Sequence, residues 1–65
     1  MLTTKQIEEM FLAYLANKGM ANKKMIQADL GIDRNQANGV ITRFWNRRAI
    51  DRVYIDGVAC WKLNP

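Results

Sequence analysis

The sequence predicts an α+β fold, mainly α, in which three helices lead into a C-terminal β-hairpin. Three observations carry this reading. Apolar residues recur at helical spacing as far as Phe44, and the spacing turns to strict alternation after Arg48. Asp56-Gly57 then stands between two alternating runs, the signal of a two-residue type I′ turn. Sixty-five residues suffice for one domain, 1–65, with a small core and little room for an enclosed active site.

The first helix begins at "LTTKQI". Thr3 caps it, Gln6 completes a capping box, and Leu2 with Ile7 fits a hydrophobic staple. Ile7, Met10, Phe11, Tyr14 and Leu15 form an inward stripe, with Leu12 off it, and Gly19 ends the helix. A short link, "MA", leads to Asn22 as the next cap. The second helix, "KKMIQADL", turns Ile26 and Leu30 inward, exposes Lys23 and Lys24, and stops at Gly31. Ile32 drops into the core within a tight "GID" turn, and Asp33 with Gln36 forms a second capping box.

The third helix is predicted from Asp33 to Arg48. On a wheel of about 100° per residue, Ala37, Val40, Ile41 and Phe44 share one side with Trp45 at its margin. The opposite side collects Asn35, Asn38, Gly39, Thr42, Arg43 and Asn46. Gly39 therefore weakens the helix by roughly 1 kcal/mol relative to alanine, on its polar face. Either a partner comes close there, or the glycine relieves crowding against a neighbouring helix.

In the hairpin, the Asp56-Gly57 turn sets Ile55 opposite Val58, Tyr54 opposite Ala59, Val53 opposite Cys60 and Arg52 opposite Trp61. Asp51 then faces Lys62 as an opposite-charge pair, and Ile50 faces Leu63. Ile50, Tyr54, Ala59, Trp61 and Leu63 are predicted on the core face, with Arg52 lying over Trp61. Val53, Ile55, Val58 and Cys60 form an apolar cluster on the other face. Such a cluster marks a protein interface, and a symmetric homodimer would cover it.

Composition narrows the function. The chain has no histidine, no serine and one cysteine, so nucleophilic Ser-His or Cys-His sites are absent and a conventional zinc site is not expected. The six acids are scattered over caps, turns and a solvent face. No enzyme, cofactor or small-molecule substrate is predicted. The longest apolar run, "MFLAYLA", is too short to span a bilayer, and no secretory leader is visible; with its lone cysteine the chain is expected to be cytoplasmic. Net charge is +4, and residues 34–48 carry Arg34, Arg43, Arg47 and Arg48 with no acid among them. A basic stripe of this kind suits a polyanion.

Three helices followed by a hairpin, with "KKMIQADLGIDRNQANGV" as two helices about a glycine turn, resemble a winged helix-turn-helix. "VITRFWNRRAIDRVYIDGVACWKL" is similar to a recognition helix running into a wing. The resemblance extends over nearly the whole chain and is to small bacterial and phage regulators and excisionase-like factors. Two departures stand out: Gln27 replaces the small residue many members carry, and the wing tip, Asp56-Gly57, is acidic.

The resemblance implies double-stranded DNA as partner, transcriptional regulation as role, and the third helix in the major groove. Asn35, Gln36, Asn38, Thr42 and Arg43 would then read bases, with Gly39 allowing close approach. Lys23, Lys24, Arg34, Arg47 and Arg48 would hold the backbone. The alternatives are an excisionase-like DNA-bending factor, or a protein-binding module working through Val53, Ile55, Val58 and Cys60.

Overall fold

Thr3 opens the fold with the predicted capping box: its Oγ1 accepts from the Gln6 N–H at 3.1 Å, and its own N–H donates to Gln6 Oε1 at 2.8 Å. In the computed structural model, which describes residues 2–64, it starts helix α1 (Thr4–Lys18). Ile7, Phe11 and Leu15 are buried, while Met10 and Tyr14 lie at the margin of the stripe. Gly19, at φ 87°, closes the helix by donating its N–H to Leu15 O at 2.8 Å.

The next segment corrects the sequence reading. Met20 and Ala21 are not a plain link but belong to strand β1 (Met20–Asn22). It pairs antiparallel with the last strand, in the register Met20↔Lys62, Ala21↔Trp61 and Asn22↔Cys60. Three residues are too few to show alternation, and the partner lies at the far end of the chain.

Asn22 also caps helix α2 (Lys23–Leu30), accepting from the Met25 N–H at 2.9 Å. Gly31 takes the left-handed conformation at φ 66°, and Ile32 donates its N–H to Gln27 O as it turns into the core. Asp33 then starts helix α3 (Arg34–Asn46), accepting from the Gln36 N–H at 2.7 Å while Gln36 Oε1 accepts from Asp33 N–H at 3.0 Å.

Helix α3 stops at Asn46, two residues short of the predicted end. Arg48 leaves the helix at φ 58° and donates its N–H to Trp45 O, while Ala49 donates to Phe44 O. This is the bond pair with which a glycine usually ends a helix, so the sequence carried no stop signal here. Asn64 holds the exit from both sides: its Nδ2 donates to Arg48 O and its N–H to Ala49 O, each at 2.9 Å.

Strands β2 (Ile50–Ile55) and β3 (Val58–Leu63) pair in the register the turn predicts, from Ile50↔Leu63 to Ile55↔Val58. Asp56 and Gly57 both have positive φ, 52° and 79°, as a type I′ turn requires. The sheet order is β1-β3-β2, so β3 is central and the predicted hairpin is part of a three-stranded sheet. One core joins both layers, with Phe11 stacked on Phe44 at 5.4 Å between ring centroids and Ile26, Val40, Ile50 and Trp61 around them.

Two strand assignments change. Tyr54, expected in the core, is 61% exposed, because the rungs next to the turn extend past the helices. Cys60, expected on an exposed apolar face, is buried, because β1 lies alongside it.

Candidate nucleic-acid interface

Helix α3 presents Asn35, Thr42 and Asn46 along its exposed ridge, with Asn38 and Gly39 half-buried beside them. Its core side, Ala37, Val40, Ile41 and Phe44, is buried as predicted, which fixes the direction of the polar side. The two flanks of that ridge differ in charge.

The flank facing α1 is neutralised from outside α3. Arg43 Nε donates to Glu8 Oε2 at 2.6 Å, and Arg47 Nη1 lies 3.6 Å from Glu8 Oε1. The Arg47 guanidinium also sits over the Phe44 ring, 5.4 Å from its centroid. A Cβ added to Gly39 would lie 3.2 Å from Arg43 Nη1, so the glycine's open space is taken by an arginine of its own helix. The atom nearest that space belongs to Arg43 of the same helix, not to a neighbouring helix. The count of four arginines without an acid holds along residues 34–48 but not in space.

The flank facing the wing keeps its charge. Lys23, at the start of α2, joins Asn38, Thr42, Trp45, Arg52 and Trp61 around a shallow groove of about 250 Å³. The Arg52 guanidinium lies among three rings, 5.2 Å from Trp45, 5.4 Å from Tyr54 and 5.8 Å from Trp61. Trp45 meets Trp61 edge to face at 5.7 Å and is itself 42% exposed. Among the described residues Lys23, Arg34 and Arg52 make no ion pair with a carboxylate.

The predicted residues therefore fall into separate groups. Lys23, Asn38 and Thr42 come together on the wing side. Gly39, Arg43 and Arg47 gather on the α1 side with Glu8. Gln36 spends its amide oxygen on the cap of Asp33. Arg48 lies across Trp45 from Lys23, beside a second cleft shared with Asn46, Asp51 and Asn64. Lys24, Arg34 and Asn35 are exposed. At the wing's end Ile55 and Val58 are 46% and 49% exposed, with Val53 half-buried and Cys60 closed off.

Glu8, Arg52 and the exposed rings of Trp45 and Tyr54 are additions to the predicted site. The hairpin register had already set Arg52 beside Trp61, a usable signal. Nothing in the sequence near α3 signalled Glu8, which is 35 positions from Arg43. Among the described residues no three His, Cys, Asp or Glu side chains gather to hold a metal ion, and no helix is long and apolar enough to cross a membrane.

No protein-family model and no curated protein sequence matches this chain. Among solved structures it is similar to the crystal structure of the AntR antimony-specific transcriptional repressor, with a TM-score of 0.74 at 14% sequence identity. The match takes in 97% of this chain and 55% of the repressor chain, so this chain spans little more than half the repressor's length. What the two share is the fold: three helices and an antiparallel sheet carrying a hairpin wing, a winged helix.

Proposed function

We propose that the chain binds double-stranded DNA in a sequence-specific manner, as a transcriptional regulator does, with α3 in the major groove. One observation carries the reading. The outward ridge of α3 offers amides and a hydroxyl at Asn35, Asn38 and Thr42, and beside it stand cations, Lys23, Arg34 and Arg52, with no carboxylate partner among the described residues. Amides pair with adenine edges, and unpaired cations displace counterions from phosphates. The fold shared with a transcriptional repressor supports the same reading.

Asn35, Asn38 and Thr42 read bases; Lys23, Lys24, Arg34 and Arg52 hold phosphates; Arg48 approaches the backbone from the far side of Trp45. Fluorescence anisotropy of a labelled random duplex at several salt concentrations tests this. Lys23→Ala with Arg34→Ala is expected to make the log–log salt slope shallower by about 2. On a duplex chosen by selection, Asn38→Ala is expected to lose about 1–3 kcal/mol of discrimination at one base pair. A folded protein that binds no duplex at low salt would overturn the reading.

Ile55 and Val58 on the wing favour a second reading, a protein-binding module or homodimer through the hairpin. Ile55→Lys with Val58→Lys would then abolish self-association in sedimentation while leaving DNA binding intact.

A further inference from the structure

Glu8 is the one acid that the crossing of α1 and α3 brings against the arginines of α3 among the described residues. Its side chain is only 20% exposed, and its two oxygens serve two different arginines, Arg43 through Nε and Arg47 through Nη1. Both arginines are supported in that position. Gly39 leaves the space in which the Arg43 guanidinium lies along the helix, and the Phe44 ring underlies Arg47. Glu9, the next residue on α1, is exposed and makes no ion pair among the described residues.

Resting on the DNA reading above, we propose that Glu8 is a specificity-determining residue, an internal stand-in for phosphate that withholds Arg43 and Arg47 from DNA of the wrong sequence. A carboxylate offers a guanidinium the same charged oxygen acceptors that a phosphodiester does. Drawing Arg43 away from Glu8 leaves a half-buried carboxylate without its closest partner, a state that is costly to reach. A phosphate met at random, hydrated and screened by salt, returns too little to offset that cost. A guanine edge returns more, because O6 and N7 together accept from one guanidinium. The arginines thus remain on Glu8 over random sequence and transfer only where the duplex supplies a matched acceptor. Specificity arises by weakening the wrong complex, not only by strengthening the right one.

The test is a comparison of Glu8→Gln with Glu9→Gln, which remove the same charge from the same helix, each with and without Arg43→Ala. Binding to a random and to a selected duplex is followed by anisotropy across salt, with circular dichroism confirming that each variant is folded. Glu8→Gln is expected to tighten random-duplex binding about tenfold and to steepen the salt slope by about 1–2, as freed arginines reach phosphates. Glu9→Gln is expected to change it by less than about threefold, the effect of a distant screened charge. The ratio of selected to random affinity falls in Glu8→Gln.

Arg43→Ala alters random binding little in the wild-type background and undoes most of the tightening in the Glu8→Gln background. Equal effects of the two glutamate variants would overturn the proposal. So would an Arg43→Ala effect that is the same in both backgrounds, while wild-type binding to DNA left the broader reading standing. Absence of DNA binding by every folded variant would overturn both.

Discussion

Arg48 holds φ 58° at the position that ends α3, where its backbone N–H and that of Ala49 satisfy the helix's last carbonyls. A left-handed residue with a Cβ costs about 1–2 kcal/mol, part of which glycine would return as unfolded-state freedom. Arg48→Gly is therefore expected to stabilise the fold by about 0.5–1 kcal/mol, seen as a higher urea midpoint at unchanged slope. An unchanged or lower midpoint would mean that the arginine side chain itself holds the turn. At Gly39 two effects are separable. Gly39→Ala gains about 1 kcal/mol of helix propensity, and the atom its Cβ approaches is the free end of a flexible arginine, which yields. Stability should rise, and displacement of Arg43 from Glu8 should tighten random-duplex binding; a fall in affinity would return Gly39 to the interface. Tyr14 supplies the pH test. Burial, joined by its hydrogen bond to Asp29 and the charge of that carboxylate, pushes its phenol from the ordinary 10.0 up to about 12. Above pH 10 the unfolded chain sheds this proton and the folded chain keeps it. The unfolded state then binds fewer protons, so this contribution is full below about pH 10 and is lost as pH rises to about 12. Tyr14→Phe should accordingly flatten that part of the stability profile, measured as urea midpoints from pH 9 to 12; an unchanged profile would show the phenol to be unperturbed.

The elements differ in how far they could be read before the fold was known. Thr3, Asn22 and Asp33 were legible as caps because each acts on a residue three positions ahead. Asp33→Ala, which frees the Gln36 N–H, is expected to cost about 1 kcal/mol in urea unfolding. The hairpin register was legible because the turn type and the alternation dictate it together. Strand β1 was not, since its pairing is supplied by β3 and nothing within Met20–Asn22 announces it. The burial of Cys60 follows from that same strand and was missed for the same reason. The end of α3 was hidden by an arginine in a glycine's place. In the candidate site, the amide ridge was legible from the wheel, whereas the pairing of Arg43 and Arg47 with Glu8 exists only where two helices cross. Local rules recover local partners.

At the scale of the molecule, the Cα radius of gyration is 10.8 Å, matching the roughly 11 Å expected of a compact chain this short. A core that runs from Phe11 through Phe44 to Ile50 and Trp61 makes helices and sheet interdependent. Unfolding followed by tryptophan fluorescence, which reports Trp45 and Trp61, should coincide with unfolding followed by far-ultraviolet circular dichroism. Separate midpoints would show the wing melting on its own. Asn22 ties the layers at one further point, since it is both the sheet partner of Cys60 and the cap of α2. No spare residue separates the strand from the helix, so the sheet and the helix pair share a rigid joint. A ligand lying across α3 and the wing meets a span set when the chain folds, as a caliper locked at one opening meets its workpiece.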